Sequence, residues 1–109
     1  MDIVGNIKGR TAILVDDIID TAGTICHAAD GLIERGCERV FACATHAVLS
    51  GKAMEHISKS GIERLVFSDT IPLPPEKKTD KILQLSIAPE FAEAIGRVHN
   101  EMPISQMFE

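Results

Sequence analysis

Apolar residues fall in short blocks whose spacing switches between two periods along the chain. The block Ile13-Leu14-Val15 runs into Asp16-Asp17-Ile18-Ile19-Asp20-Thr21-Ala22-Gly23-Thr24, which reads as a buried strand, an acidic glycine-containing turn and a helix start. Ile25, Ala28, Ala29, Leu32 and Ile33 then recur at i, i+3, i+4, i+7 and i+8, one face of a helix that Gly36 can end. Residues 40–45 predict a second buried strand, residues 52–59 a short helix closed by Gly61, and residues 64–68 a third strand. Pro72, Pro74 and Pro75 with Lys77 and Lys78 mark an exposed connection. Residues 81–87 alternate as a fourth strand, and Pro89 suits the first turn of a helix that continues through Val98.

Strands separated by helices favour an α/β fold with a mainly parallel sheet, right-handed crossovers and flanking helices. The 109 residues predict one domain with a single core. In such sheets ligands bind beyond the carboxyl ends of the strands, which is where Asp16 to Thr24 should lie.

Composition narrows the partners. Four Phe and no Trp or Tyr leave the core to Ile, Val, Leu and Ala. A formal charge of −5 disfavours broad binding to nucleic acid or anionic membranes, which depend on clustered Lys and Arg. No apolar run approaches the ~18–20 residues that span a bilayer, and the N-terminus lacks a basic-then-apolar secretory pattern, so a cytoplasmic location is expected. Cys26, Cys37 and Cys43 are odd in number and lack metal-finger spacing, which points to reduced structural thiols and to no protein metal site.

The acidic turn carries the chemistry. Thr21, Ala22, Gly23 and Thr24 can offer consecutive backbone N–H groups and two hydroxyls, and Gly23 lets the backbone approach an anion closely. The helix start adds unpaired amides and a positive dipole end. Asp16, Asp17 and Asp20 repel phosphate but accept from vicinal sugar hydroxyls or, through water, hold Mg²⁺. A ribose phosphate satisfies both halves. The purely structural alternative makes Asp20 or Thr21 a side-chain N-cap, a role compatible with binding.

The run VDDIIDTAGT resembles the phosphoribosyl diphosphate signature of phosphoribosyltransferases and ribose-phosphate pyrophosphokinases. Its context, GRTAILVDDIIDTAGTICHAADGLIERG followed by THAVLSGKA, SDTIP, LSIAPEFAEAIGRVHN and a tail ending ISQMF, is similar to the C-terminal part of the pyrophosphokinase family along nearly the whole chain. The resemblance implies a type I phosphoribosyltransferase-like fold, with residues 1–109 a single partial domain. It implies that Asp16 and Asp17 face the ribose hydroxyls of ribose 5-phosphate, while Asp20, Thr21, Ala22, Gly23 and Thr24 hold its 5-phosphate. The family's reaction transfers diphosphate from Mg-ATP to ribose 5-phosphate, giving phosphoribosyl diphosphate and AMP, in a homo-oligomer. The family's ATP site, metal-binding His and catalytic loop precede the stretch matched by residues 1–10, so the resemblance assigns no catalytic residue here and implies an inactive fragment.

Other features weigh less. His27 reads as a surface or packing residue, and His46 ends a strand near the expected ligand edge. Ser50-Gly51-Lys52 lacks the preceding GxxxxGK[ST] pattern and reads as a plain loop leading into a helix. The resemblance places the equivalent of the THAVLSG loop near the ligand side and a neighbouring subunit, a second-rank candidate for ligand or regulatory contact, and Ala47 stands in it where the family often has Gly. Family members regulated by phosphate and ADP tend to end in Ser-x-Ser-x-x-Phe; this chain keeps Ser105 and Phe108 but has Pro103 at the first Ser, losing one hydroxyl and one amide donor. The alternatives are a noncatalytic regulatory homologue, a phosphoribosyltransferase, or a phospho-receiver module; the last requires a phospho-accepting Asp at a later strand end with an allied Thr or Ser and a Lys, whereas Asp69 and Thr70 are adjacent and no matching Lys-Pro turn follows.

Overall fold

The computed structural model describes residues 5–109, so residues 1–4, including Met1, lie outside the described residues. Four strands alternate with three helices: β1 (Thr11–Ile19), α1 (Gly23–Glu34), β2 (Arg39–Ala47), α2 (Ala53–Lys59), β3 (Ile62–Ser68), β4 (Ile82–Leu85) and α3 (Ala88–His99). Short 3-10 turns cover Pro75–Lys77 and Ile104–Phe108. The strands are all parallel and lie in the order β1-β2-β3-β4. When each strand joins its neighbour through a crossover of the same hand, the connecting helices gather on one face.

That face holds the core. Val40, Ala42 and Ala44 of β2 and Leu65 and Phe67 of β3 point into it, where they meet Cys26, Ala29 and Leu32 of α1 and Ala53 and Ile57 of α2. The alternation of buried and exposed positions along β2 and β3 has the period of two that a one-sided sheet imposes. Gly36 ends the α1 segment as expected: at φ +98° it sits in left-handed backbone, and its amide closes on the Ile33 carbonyl at 3.0 Å. Burial raises the Cys26 thiol above its usual range, and Cys26, Cys37 and Cys43 are all free.

The other face of the sheet is open. Val15 is 76% exposed and Ile13 65% on β1, and Leu83 and Leu85 are about half exposed on β4 at the opposite edge of the sheet. The first strand is therefore an edge strand with one bare face, rather than the buried strand expected. Only Ile19, at its end, is buried. An apolar block records a strand's affinity for a layer but not whether that layer is within the chain. Helix α3 carries an apolar stripe of Phe91, Ile95 and Val98, yet it buries no residue and packs mainly on the Ile104–Phe108 turn. No helix among the described residues is long and apolar enough to cross a membrane.

Candidate functional site

The β1 end, the α1 start and the β2–α2 connection converge at the carboxyl edge of the sheet. Asp16, Ile18, Ile19, Asp20, Thr21, Ala22, Thr24 and Ile25 line an open cavity of about 280 Å³ there. All the residues expected to contact a sugar phosphate thus lie in or beside one hollow. Gly23 continues the turn, and Asp17 adjoins Asp16 on the exposed edge.

The local backbone explains the shape. Asp16 Oδ1 accepts the Asp17 amide and Asp17 Oδ1 accepts the Ile18 amide, each at 2.8 Å. The neighbouring Asp16 side chain, followed by the Ile18 amide, holds the Asp17 carboxyl below its ordinary range, with a smaller contribution from His46. Asp17 is therefore an anionic acceptor throughout the neutral range.

At Ala22 the chain turns into left-handed backbone, with φ 66° and ψ 2°, and this residue is the N-cap of α1. The side-chain cap that the purely structural alternative would give to Asp20 or Thr21 does not form: Ala22 occupies the cap position and no side-chain hydrogen bond closes it. The first helical bond runs from the Cys26 amide to the Ala22 carbonyl at 3.0 Å. The amides of residues 21–25 consequently meet no protein acceptor among the described residues. They sit at the positive end of a twelve-residue helix, an arrangement that favours an anion.

Sequence reasoning treated residues 50–52 as a plain loop, but they also brace the turn. The Val48 and Leu49 amides donate to the Ile19 carbonyl at 3.2 and 3.1 Å, and the Ser50 amide donates to the Asp20 carbonyl at 3.0 Å. The Ser50 hydroxyl also donates to the Asp20 carboxylate, so Asp20 is held by the β2–α2 connection. Leu49 itself has φ 51° and is 1% exposed, a strained backbone fixed by a buried side chain. His56 of α2 adds a donor, Nδ1–H to the Thr21 carbonyl at 2.8 Å. Contacts between residues some 30 positions apart leave no periodic signal; the hint in the sequence was the family resemblance of the THAVLSG loop, which made it a second-rank candidate for ligand contact.

His46 lies beside this edge in register with Ile18. Its Nδ1 is 2.7 Å from the Thr70 hydroxyl, which donates to the Thr45 carbonyl at 3.2 Å. The Thr70 proton is thereby committed, so His46 is the donor in this bond, from Nδ1. Ser105 and Phe108 are exposed in the C-terminal turn, which Arg97 braces through the Pro103 carbonyl and Gln106, and neither residue lines the cavity. Among the described residues, no group of three or more His, Cys, Asp or Glu side chains is placed to hold a metal ion.

The model of the phosphoribosyl synthetase-associated domain matches residues 1–109. The ribose-phosphate pyrophosphokinase of Caldanaerobacter subterraneus subsp. tengcongensis is 56% identical over 108 residues, covering 99% of this chain and 34% of that protein. The ribose-phosphate pyrophosphokinase of Oceanobacillus iheyensis is 58% identical over 109 residues, covering 100% of this chain and 34% of that protein. In the crystal structure of phosphoribosylpyrophosphate synthetase from Mycobacterium smegmatis, the match has a TM-score of 0.87 at 40% identity and covers 90% of this chain and 33% of that one. The chain therefore spans about a third of the length of the curated relatives it matches. Those coverages give the extent of the shared region and lend no support to the C-terminal placement expected from sequence.

Proposed function

The chain belongs to the phosphoribosyl synthetase-associated domain family, and from that premise we propose that it is the ribose 5-phosphate-binding portion of a ribose-phosphate pyrophosphokinase. The observation that carries this reading is the pairing, in one cavity, of unpaired α1 amides with the carboxylates at the β1 end. A ligand that fits both is an anion joined to a polyol.

The parts divide as the chemistry requires. The Thr21 to Thr24 amides and the Thr21 and Thr24 hydroxyls bind the 5-phosphate, with Gly23 keeping the backbone free of side-chain obstruction. Asp20, tied to Ser50, stands at the phosphate end of the turn and fixes its shape. Asp16 and Asp17 accept hydrogen bonds from the ribose hydroxyls, which orients the anomeric hydroxyl away from the helix. Orientation of this kind supplies much of the catalysis in a diphosphoryl transfer, because the reaction depends on alignment and charge neutralisation.

Asp16 and Asp17 also suit Mg²⁺, which takes one or two carboxylates together with substrate oxygens and water. When bound, the ion would neutralise phosphate charge contributed by ATP. In the complete enzyme the diphosphate of Mg-ATP passes to ribose 5-phosphate, giving phosphoribosyl diphosphate and AMP. The residues that hold ATP belong to the remaining two thirds of the relatives' length, and this chain alone is expected to bind sugar phosphate without turnover. Ser105 and Phe108 are proposed only as an allosteric contact in the assembled oligomer.

Titration of ribose 5-phosphate into isotope-labelled chain, with and without Mg²⁺, tests the reading. Saturable amide shifts over residues 16–24, weakened in Asp20→Asn and Thr24→Ala, are expected. A folded sample whose amides there do not respond would sink binding by this chain.

A further inference from the structure

Three consecutive carbonyls ahead of α1 are each held by a donor from the β2–α2 segment. Ile19 accepts from the Val48 and Leu49 amides, Asp20 from the Ser50 amide, and Thr21 from His56 Nδ1. In a trans peptide the C=O and the following N–H point in opposite directions. Holding these carbonyls toward α2 therefore turns the amides of Asp20, Thr21 and Ala22 away from it. The first two anchors are main chain to main chain and survive almost any side-chain change. The third depends on one imidazole.

We propose that His56 is a positioning residue for the anion cradle. Its Nδ1–H holds the Thr21–Ala22 peptide so that the Ala22 amide joins those of Gly23 and Thr24 on a phosphate monoester. This inference rests on the sugar-phosphate reading above and adds a residue outside the acidic turn to it. Because a carbonyl oxygen can only accept, the bond commits Nδ1 to carrying a proton. The ring also backs the turn: its Cε1 and Nδ1 lie 3.8 and 3.9 Å from the point a Cβ on Gly23 would occupy. Donor and wall together restrain a peptide whose second residue, Ala22, is held in left-handed backbone and is 5% exposed. Without the donor, the Thr21 carbonyl is free to rotate toward the Ile25 amide, its partner in a regular helix. That rotation takes the Ala22 amide out of line with its neighbours.

The test compares wild type, His56→Leu and His56→Asn by amide-detected titration with ribose 5-phosphate and, separately, with inorganic phosphate. Leu removes the donor. Asn places an amide nitrogen close to the position of Nδ1 and restores it. The expected result is a Kd raised about tenfold in His56→Leu for both ligands, recovered to within about threefold by His56→Asn, as suits one well-aligned hydrogen bond. Urea midpoints and amide spectra away from residues 19–25 verify that each variant is folded. Wild-type affinity in a folded His56→Leu chain would overturn the inference, as would equal weakening in the Leu and Asn variants, which would assign the effect to ring packing.

If wild type binds neither ligand, the sugar-phosphate reading fails separately. The hold on the turn is then read from residual dipolar couplings at Thr21, Ala22 and Gly23. Couplings unchanged in His56→Leu would overturn the positioning role, and couplings altered there but restored by Asn would uphold it.

Discussion

Lys81 is the side chain whose removal best tests how α2, and hence His56, is held. From the position just ahead of β4 its ammonium donates to the Ile57 and Ser60 carbonyls, each at 3.0 Å, at the C-terminal end of α2. A seven-residue helix forms poorly on its own, so its termini must be fastened by tertiary contacts. Lys81→Met keeps the aliphatic stem and deletes both bonds together with a cation at the negative end of the helix. The Ile57 carbonyl retains the Ser60 amide and hydroxyl at 3.2 and 2.9 Å, whereas the Ser60 carbonyl keeps no other protein donor among the described residues. The effect is therefore dominated by one charge-assisted bond, worth ~1.5–3 kcal/mol when well shielded. Lys81 is only partly buried, so solvent screening brings the expected loss to about 1.5 kcal/mol. Urea unfolding followed by circular dichroism should show a midpoint lowered by about 1 M at an unchanged slope, given slopes of ~1–3 kcal/mol per M for small domains. Lys81→Arg should recover part of the loss. A midpoint moved by less than about 0.3 M would refute the assignment of Lys81 as the fastening of α2.

The remaining predictions address the core, pH and the open face. Leu65 is fully buried at the centre of the packed side, so Leu65→Ala should cost about 3 kcal/mol by urea unfolding; a loss under about 1 kcal/mol would show that the core is not packed around β3. The Asp69 carboxyl accepts the Ile87 amide at 2.9 Å, and this bond, with help from Ser86, lowers its pKa from 3.8. A depressed carboxylate stabilises the folded state above the unfolded value and loses that contribution as pH falls through the folded one. The Ile87 amide resonance should therefore move with a midpoint below the ordinary Asp value of ~3.9; movement centred above that value would contradict the bond. Val15 and Leu85 stand exposed on the bare face of the sheet, and sedimentation velocity should show self-association that Val15→Glu with Leu85→Lys reduces. A monomeric wild type at high concentration would count against that face as the adhesive surface.

The elements were legible in the sequence to within a few residues because each is short and strongly patterned. Gly36 marked the end of the α1 segment and Pro89 lies in the first turn of α3, but the acidic turn is shorter than the sequence suggests: β1 continues through Asp16 to Ile19 and α1 begins at Gly23, leaving Asp20 to Ala22 between them. Three things were not legible, each for a physical reason. The exposure of β1 depends on what lies beside the sheet, and an apolar block is identical whether or not a layer covers it. The N-cap went to Ala22 because the Asp20 side chain is drawn to Ser50, a partner 30 residues away. The bond from His56 to Thr21 spans 35 residues and arises only when parallel crossovers stack α2 beside the α1 start.

The division between packed and open faces bears directly on function. Every element that shapes the cradle belongs to the packed side: the end of β1 where Ile19 is buried, the start of α1 above Cys26 and Ala29, and the Leu49 turn leading into α2. The exposed Ile13, Val15, Leu83 and Leu85 contribute nothing to it. Carbonyl anchors from residues 48–56 hold the turn before any ligand arrives, so little backbone ordering remains to be met from binding energy. A region matching only a third of its relatives can on this account retain a preorganised phosphate cradle. The cations that would neutralise a transferring diphosphate are another matter, since Asp16, Asp17 and Asp20 dominate the local charge. On the function proposed above, recognition of the sugar phosphate would be a local property of this fold and turnover a property of the larger assembly. Adding the rest of a relative's sequence should raise kcat from undetectable while changing the ribose 5-phosphate contacts at residues 21–24 little. Amide shifts of the labelled segment within the completed enzyme that differ wholly from those of the chain alone would show that the cradle is built by assembly instead.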